Sequence, residues 1–571
     1  MSTTHHATGA GSDGVGHLSL ADLGYDWSRV ADPGIPARAP FQVYLPRHTQ
    51  DVVRAVKQAR ANGEAVVVRG HARSSNNLVT PERGVVMLSD LMNQVLSVDS
   101  DAMTVTVQGG ATLAVVDQVL AEAGLGLSII GEHEYITAAG FASVGGISPA
   151  SHRHGMFVDT VQAMEYVDWT GTVHRCSRTE HTDQLLRVLA GTGKHGVITE
   201  LTIDVVRVDK LRTVLHNRSH LSPSLHDFVR YSGEMIRNPG DAVMERGVWA
   251  DFDLPVLSGA SLRMGQFSSY HPTRQRRYKS WWNDLGYGVQ KQIGYWAARA
   301  PALLNDVTRY VGMGAVMLSP RYAGVKNIER FTDSILTATV SDPTRMFVVL
   351  APAERYETLF HQLYETALAE RRHSGAVTSI AIHVKSVRSP YLSGGDLNKR
   401  YCEIMLSVGV RPEKMTDQVL NQFVRQMDRL TVANGAYRCL YSLTSQDPVI
   451  RDQVDPNSRY RRPPVAAATA AESTPRPVPK PPPRPGPKPT ARATAKPVPT
   501  AAEPARRAAA EPARRAAAAT AGATRNSGTA GSGAGAKGTT ARNGRSAAVP
   551  VPDTGKAAGR RRVPAAERAK R

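Results

Sequence analysis

The chain has 571 residues and a formal net charge of +20, but the positive charge is concentrated toward one end. Residues 461–571 contain 23 Lys and Arg against 5 Asp and Glu, so residues 1–460 are nearly neutral, with a net charge of +2. No apolar stretch is long enough for a signal peptide or a membrane span, which argues against secreted and membrane-spanning proteins. The cysteines lack the spacing of a metal or redox site and predict a reducing, cytoplasmic location: Cys176, Cys402 and Cys439.

The first folded elements are predicted after a flexible leader over residues 1–20. PFQVYL is typical of a short extended segment, and a helix is predicted from Thr49 to the stop signal at Asn62 and Gly63. Its apolar residues recur at helical spacing and share one face: Val52, Val53, Val56 and Ala59. The β-branched run that follows, VVV, predicts a buried strand. Because about 460 residues are too many for one core, we expect two lobes.

The loop after this strand begins with Arg69, Gly70 and His71. Gly70 lacks the Cβ that would block a close backbone approach, and successive N–H groups in such a turn form a concavity that binds anions. The loop is therefore suited to wrap a phosphate group. His71 lies at its mouth, where the imidazole is either a functional group or an ordinary polar side chain of a turn.

Two further segments combine small residues with histidines or glycines. Residues 137–155 read TAAGFASVGGISPASHRHG, and a Gly-rich turn follows within residues 183–204. The turn has G-x-G-x-x-G spacing at 191–196, but that fingerprint requires a strand before it and a helix after it, and here the order is reversed. We therefore reject a Rossmann interpretation. His152 and His154 lack two further ligands at suitable spacing, so we also reject a metal site.

Residues 208–430 predict a mixed α+β lobe. The amphipathic helices are VRYSGEMIR, FHQLYETALAERR and TDQVLNQFVRQMDRL, and the alternating strands are TRMFVVLAP, VTSIAIHVKSV and CEIMLSVGV. An aromatic cluster at 280–296 either lines a pocket in this lobe or packs its interior.

Residues 463–571 are composed mainly of Ala, Pro, Arg, Lys, Gly, Thr and Ser, and EPARRAA occurs at 503–509 and again at 511–517. Such a segment buries too little apolar area to offset its ordering entropy, so we expect disorder, with polyproline character near 474–499. It is either a solvated tail or an electrostatic contact for nucleic acid or another polyanion. Because it contains no aromatic residue for base stacking, such a contact is expected to be weak, salt-sensitive and not sequence-selective.

The three glycine-containing motifs together resemble the vanillyl-alcohol-oxidase superfamily of flavoproteins, with its PCMH-type FAD-binding domain, and within it the cytokinin dehydrogenases. The corresponding segments of that family read Arg-Gly-x-Gly-His-Ser, a small-residue loop ending Gly-Ile-Ser and then Arg-His-Gly, and a turn ending Gly-Val-Ile-Thr. Two departures occur in the first motif, where Val68 replaces the first Gly and Ala72 replaces the Ser after the His. The resemblance extends over residues 40–207.

The resemblance implies a two-lobed α+β fold and FAD as the cofactor. The implied domains are an FAD-binding domain at 21–207, a substrate cap at 208–430, a return to the FAD lobe at 431–462 and the tail at 463–571. In the family the His of the first motif carries the flavin through its 8α carbon, which implies covalent attachment at His71.

The resemblance also assigns the cofactor contacts to residues of the three motifs. They are Arg69, Gly70, His71, Ala72, Asn76, Gly140, Ser143, Gly146, Ile147, Ser148, His154, Gly196, Val197 and Ile198.

A candidate proton acceptor precedes the small-residue segment. Flavin dehydrogenation usually requires a group that takes the substrate's N–H or O–H proton as hydride leaves. A gapless count back from Ser148 places the family's active-site Asp at Glu132, within GEHEY. A slip of one residue changes this assignment, because His133 and Glu134 follow directly, and a solvated loop carboxylate without a function is the alternative.

These expectations predict an FAD-dependent oxidoreductase that oxidises an amine or alcohol C–H bond by hydride transfer to flavin N5. The resemblance does not extend to the substrate, because cap lobes diverge and a shared fold does not fix function. The alternatives are a sugar or alditol oxidase of the same superfamily, and a flavin-fold scaffold with little turnover that its tail tethers to polyanions.

Overall fold

The computed structural model describes most of one unit that spans residues 1–474. The described residues are 42–74, 78–79, 84–133, 135–208, 210, 213–254, 260–273, 285, 288–289, 321–330, 344–439, 441–442 and 448–454. The predicted leader, the basic tail, Asn76, Glu134 and almost all of the aromatic cluster at 280–296 lie outside these residues.

The first described elements form a small parallel sheet in the order β1-β3-β2. Helix α1 (Thr49–Ala61) connects β1 (Gln42–Tyr44) to β2 (Val66–Arg69), and β3 (Val85–Leu88) pairs with both strands. A crossover helix is what parallel strands require. The predicted apolar face of α1 is buried at Val52, Val56 and Ala59, together with Ala55, whereas Val53 is half-buried.

A second sheet of six strands completes this lobe, in the order β4-β5-β9-β7-β8, with β6 paired to β9. The strands are β4 (Val95–Asp99), β5 (Thr104–Gln108), β6 (Leu125–Leu127), β7 (Val161–Val167), β8 (Val173–Ser177) and β9 (Val197–Arg207). The helices are α2 (Leu113–Glu122), α3 (Ala138–Val144), α4 (Ser151–His154), α5 (Phe157–Thr160) and α6 (Thr182–Val188). Because α6 precedes the Gly-rich turn and β9 follows it, the rejection of a Rossmann fold is confirmed.

The cap consists of an eight-stranded sheet in the order β13-β10-β12-β11-β15-β16-β14-β17, and all of its strand pairs are antiparallel. Its strands are β10 (Val214–Ser222), β11 (Met244–Leu254), β12 (Ala260–Pro272), β13 (Tyr322–Gly324), β14 (Thr344–Pro352), β15 (Val377–Val387), β16 (Tyr401–Val410) and β17 (Tyr437–Arg438). Its helices are α7 (Leu225–Arg237), α8 (Val325–Glu329), α9 (Tyr356–His373), α10 (Pro390–Ser393), α11 (Asp417–Ala433) and α12 (Pro448–Gln453), with a 3-10 turn at Ala353–Arg355. The α+β fold predicted from the sequence is confirmed.

The two faces of the cap sheet belong to different cores. On one face, α7, α9 and α11 pack over residues such as Trp249, Ile382 and Leu406. The other face joins the FAD lobe in a single core, in which Val348 and Leu350 of β14 lie in one cluster with Ile198, Leu201 and other residues of the FAD lobe. This second face positions the cap above the motif loops.

The structure also bears on the predicted end of the cap. Residue 430, where the cap was predicted to end, lies inside α11, and β17 then pairs with β14 at the edge of the cap sheet.

In the part of the chain that the structure describes, no helix is long and apolar enough to cross a membrane.

Candidate active site

A cavity of about 410 Å³ lies between the FAD lobe and the cap sheet. Its floor is built from the loop after β2, the segment around α3 and the Gly-rich turn before β9. Its roof is built from side chains of β14, β15 and β16: Met346, His383, Lys385, Met405 and Ser407. All three sequence motifs therefore meet in one cavity, and the second lobe covers them.

The first motif packs directly against the second. A Cβ added to Gly70 would lie 2.7 Å from Thr137 Oγ1, and one added to Gly140 would lie 2.8 Å from the same atom. Glycine at both positions therefore lets the loop after β2 approach the start of α3. Ala72 adopts a left-handed conformation, with φ of 51°, which turns the chain after His71.

His71 lines the cavity, where its ring centroid lies 5.8 Å from that of Tyr135. Burial among the surrounding atoms lowers the pKa of His71, against the opposing charge of Asp90, and Arg73 lowers it further. The guanidinium of Arg73 lies over the Tyr135 ring, 5.2 Å from its centroid. The imidazole is therefore mainly neutral at neutral pH, the state in which its nitrogen is a nucleophile.

The third motif is held against the second by backbone hydrogen bonds. Thr192 N donates to Ser143 O at 2.9 Å, and Ala190 N donates to Ala142 O at 2.8 Å. Trp169 Nε1 donates to the carbonyl oxygens of Gly193 and Lys194, at 3.2 and 3.1 Å. These contacts fix the Gly-rich turn at the edge of the cavity.

Gly196 is required by this geometry. Its φ is 142°, a conformation that side chains disfavour, and an added Cβ would collide with Val167 O.

The structure brings most of the predicted site residues together. The predicted residues that line the cavity are Glu132, Gly70, His71, Ala72, Gly140, Ser143, Ile147, Gly196, Val197 and Ile198. Four others are described but do not line it: Arg69, Gly146, Ser148 and His154.

Three of these four residues have other roles in the fold, and the fourth lies at the surface. Arg69 ends β2 in a buried position, and Gly146 packs against Phe141 and Phe157. Ser148 N donates to Ser151 Oγ at 3.0 Å, whereas His154 is exposed.

The histidines of the second motif do not form a metal site with other described residues. His152 is buried, and its Nε2 lies 2.9 Å from Ala242 O, so its ring ties α4 to the turn before β11.

Glu132 is buried at the roof and makes two ion pairs with the cap. Its Oε1 accepts a hydrogen bond from Arg246 Nη1 at 3.1 Å, and its Oε2 lies 2.8 Å from Lys385 Nζ. Burial alone would raise the pKa of Glu132, but the charges of Lys385 and Arg246 outweigh it and lower the pKa to about 2. This carboxylate is ionised throughout the physiological pH range.

The ion pairs continue from Lys385 into the cap sheet. Lys385 Nζ donates to Glu403 Oε2 at 3.0 Å, and Tyr441 OH donates to Glu403 Oε1 at 2.6 Å. Burial alone would lower the pKa of Lys385, but Glu132 and Glu403 hold it above its ordinary value. Two cations and two carboxylates therefore form a neutral buried cluster at the roof: Arg246, Lys385, Glu132 and Glu403.

His383 lies on the same face of β15 as Lys385 and also lines the cavity. Burial lowers the pKa of His383 to about 4, although the charge of Glu132 opposes this shift. The imidazole is therefore neutral above about pH 4.

Sequence reasoning did not single out these cap residues. The available signal was the i, i+2 spacing of His383 and Lys385, two polar residues on one face of an otherwise apolar strand.

The glycine positions and the cavity fit a flavin cofactor. Gly70, Gly140 and Gly196 give backbone surfaces without side chains, and apolar side chains such as Val68, Met87 and Met92 line the same space. Ligand sites are typically apolar cavities with a few placed polar groups.

Comparisons with known proteins agree with this fit. Residues 40–177 match the FAD-binding domain family. Cytokinin dehydrogenase 5 of Arabidopsis thaliana is 31% identical over 194 residues, which are 33% of this chain and 35% of the relative. L-gulonolactone oxidase of Bos taurus is 28% identical over 167 residues, 29% of this chain and 38% of the relative.

A third similar protein is the D-arabinono-1,4-lactone oxidase of Debaryomyces hansenii, 24% identical over 180 residues, 29% of this chain and 32% of the relative. The chain thus spans about a third of the length of these curated relatives. The family match supports an FAD-binding domain over residues 40–177, with FAD as its cofactor.

Proposed function

We propose that this chain, which contains an FAD-binding domain over residues 40–177, is an FAD-dependent oxidoreductase that oxidises a C–H bond beside a hydroxyl or amine group. The observation that carries the proposal is the single cavity whose floor is made by the cofactor motifs and whose roof presents polar groups of a second lobe. Bound FAD would supply the hydride acceptor. The chain's own residues bind and orient the substrate, exclude water and accept its proton.

The cofactor would be held by the three floor segments. On one side of the cavity, close backbone contacts would come from Gly70 and Ala72 and from Gly140 and Ser143 of α3. On the other side, they would come from Gly196 and the residues after it. The apolar lining would exclude water from the reacting carbon.

Covalent attachment at His71 is part of this proposal. The neutral imidazole at the cavity wall supports a bond from a ring nitrogen to the 8α carbon. Forming this bond removes one hydrogen from the 8α methyl group and one from the imidazole. The oxidant that reoxidises the flavin, a quinone or dioxygen, takes both electrons and both protons.

The role of Glu132 changes from the one predicted from the sequence. Both oxygens of Glu132 already pair with cations, at 3.1 Å from Arg246 Nη1 and 2.8 Å from Lys385 Nζ, so neither oxygen is open to a substrate proton. We propose that Glu132 is a positioning residue, which holds Lys385 and Arg246 at the roof.

Two substrate groups are candidates for the cavity. Similarity to a cytokinin dehydrogenase supports an amine of the cytokinin type, and similarity to two lactone oxidases supports a sugar or alditol. The sugar alternative is favoured by one observation, the polar side chains His383 and Ser407 on the roof.

A substrate screen tests the proposed activity. Purified flavin-loaded protein is mixed without oxygen with cytokinins, sugar lactones and alditols, and the loss of flavin absorbance is followed. We expect at least one class to bleach the flavin. A flavin that dithionite reduces but that no compound reduces would favour the scaffold alternative.

Two further proposals concern parts of the chain away from this cavity. We propose that the basic residues of 463–571 bind polyanions weakly, on the basis of their net charge. We also propose a reducing, cytoplasmic location, which is supported by three free and buried thiols: Cys176, Cys402 and Cys439.

A further inference from the structure

Two polar side chains on the roof are available to a substrate. His383 and Ser407 line the cavity, and neither side chain makes a hydrogen bond to another residue in the described part of the chain. The neighbouring polar groups are engaged, because Lys385 bonds to Glu132 and Glu403, and Tyr441 bonds to Glu403. A bound molecule would therefore meet His383 and Ser407 as open hydrogen-bonding partners.

The strand register sets the spacing of these two groups. His383 of β15 is paired with Met405 of β16, and Ser407 is two residues further along β16 on the same face. The Cα atoms of such diagonal neighbours are roughly 7–8 Å apart. This span suits two hydroxyl groups a few carbons apart, with one hydrogen bond at each end.

The charges around His383 favour an uncharged substrate. Glu132 approaches from the loop before α3, Arg246 from β11 and Lys385 from β15, with Glu403 behind Lys385. These four charges sum to zero, so an ammonium or carboxylate on the reacting end would enter a buried site without a counterion. Burying an unpaired charge is costly, whereas a hydroxyl needs only hydrogen bonds.

We propose that His383 accepts the proton from a hydroxyl group of an uncharged, polyhydroxylated substrate, and that Ser407 binds a second hydroxyl of the same molecule. This inference rests on the proposed function, because FAD is the electron acceptor. The O–H proton passes to an imidazole nitrogen, the C–H hydrogen leaves the carbon with both bonding electrons, and the O–H electron pair forms the second bond of the product carbonyl. The imidazolium then returns its proton to water.

The other roof groups are less suited to this role. Lys385 is an ammonium that already pairs with two carboxylates, and Glu132 is held by two cations. His383 keeps a free lone pair, because burial lowers its pKa to about 4, against the opposing charge of Glu132. It therefore remains unprotonated above about pH 4.

Flavin reduction in variants tests the two assignments. Anaerobic reduction by alditols and sugar lactones is measured for the unmodified protein, His383→Asn, Ser407→Ala and the control His373→Asn, an exposed His at the end of α9. We expect His383→Asn to keep its flavin and to slow reduction by ~10²-fold or more. Ser407→Ala should raise the substrate concentration for half-maximal reduction with a small change in maximal rate, and His373→Asn should change neither. An unchanged reduction rate in His383→Asn overturns the proposal.

A second measurement does not depend on turnover. Nitrogen NMR of the flavin-loaded protein with labelled histidine is recorded from pH 5 to 8, and xylitol is then added. We expect one resonance, absent from His383→Asn, to show a neutral ring over this range and to shift with xylitol. If the His383 resonance shows a protonated ring at pH 7, or does not shift with any polyol tested, the assignment is rejected. If no compound bleaches the unmodified protein's flavin, the proposed function fails, and the NMR result decides the role of His383 separately.

Discussion

Lys385 Nζ lies 2.8 Å from Glu132 Oε2, so one ammonium group of the cap is bonded to a carboxylate of the FAD lobe. The same nitrogen donates to Glu403 at 3.0 Å. Both side chains of the first pair are buried, which makes the contact insensitive to salt but strongly dependent on both partners. The roof of the cavity is therefore held in place by charges from both lobes.

Glu132→Gln is expected to destabilise the protein by about 3 kcal/mol at pH 7, because it leaves Arg246 and Lys385 with one carboxylate fewer. The folded pKa of Glu132 lies below its unfolded value, so its stabilisation is present above about pH 4.5 and is lost as the pH falls toward about 2. Urea unfolding of both proteins between pH 2 and 7 measures this difference. The exposed Glu122→Gln is the matched control. If the difference in the free energy of unfolding between the two proteins does not decrease in acid, the ion-pair assignment is contradicted.

Flavin is expected to stay with the protein pellet after acid precipitation, because the neutral His71 imidazole lies at the cavity wall. His71→Ala should release FAD into the supernatant or fail to bind it. The absorbance of both fractions at the flavin band is the measurement, and His373→Ala serves as the control. Complete release from the unmodified protein would show that the attachment is not covalent.

Glu245 is expected to become destabilising as the pH rises. Its side chain is completely buried on β11, neither of its carboxylate oxygens has a hydrogen-bond partner among the described residues, and burial raises its pKa to about 8, against the charge of Arg400. Because the folded state holds this proton and the unfolded state releases it near pH 4.5, stability falls between about pH 4.5 and 8.

Glu245→Gln should remove this loss, and its stability relative to the unmodified protein should rise by up to about 4 kcal/mol between pH 5 and 8. Thermal unfolding at the two pH values tests this expectation. A relative stability that is equal at both values means that Glu245 is ionised in the folded protein.

Lys210→Met is expected to destabilise the contact between α2 and α8. Lys210 Nζ lies 2.9 Å from Asp117 Oδ2 and 2.8 Å from Glu329 Oε1, and its side chain is buried. Its removal leaves the carboxyl group of the buried Glu329 facing that of the half-buried Asp117, which should cost about 3–5 kcal/mol. Denaturant unfolding against the exposed control Lys399→Met measures the effect. Equal midpoints in the two variants would rule out this contribution.

Truncation after residue 462 is expected to preserve flavin content and turnover, because the removed segment has no aromatic, Leu, Ile or Met residue with which to complete a core. The same change should abolish retention on heparin at low salt, and retention of the full chain should fall steeply as salt rises. Loss of flavin on truncation would show that the tail is part of the folded enzyme. Equal heparin retention would place the polyanion site elsewhere.

The floor of the cavity could be predicted from the sequence because its determinants are local. The strand-loop order around Gly70 and the helix-turn-strand order around Gly196 depend on short stretches of chain, and the structure shows both. The segment at 137–155 was expected as a loop, but it contains α3 and α4. Its alanines favour a helix once Thr137 O accepts the first helical hydrogen bond from Phe141 N.

The roof could not be predicted because it depends on pairings between distant residues. The alternation in β15 predicts that His383 and Lys385 share a face, but which face meets the cavity depends on how the cap sheet packs on the FAD lobe. The partner of Glu132 on β11, Arg246, is 114 residues away in the chain. The sequence alone predicts a proton-accepting carboxylate at Glu132, whereas its two ion pairs support the positioning role that we propose for it.

The core that joins β14 of the cap to β9 of the FAD lobe has a consequence for protein engineering. Because Val348, Leu350 and Leu201 are fully or almost fully buried in one cluster, the two lobes share one of their cores. A chimaera that exchanges the cap of this chain for that of another oxidase must therefore carry over the matching interface layer. Libraries that vary only the cavity-lining positions His383 and Ser407 leave Val348, Leu350 and Leu201 unchanged.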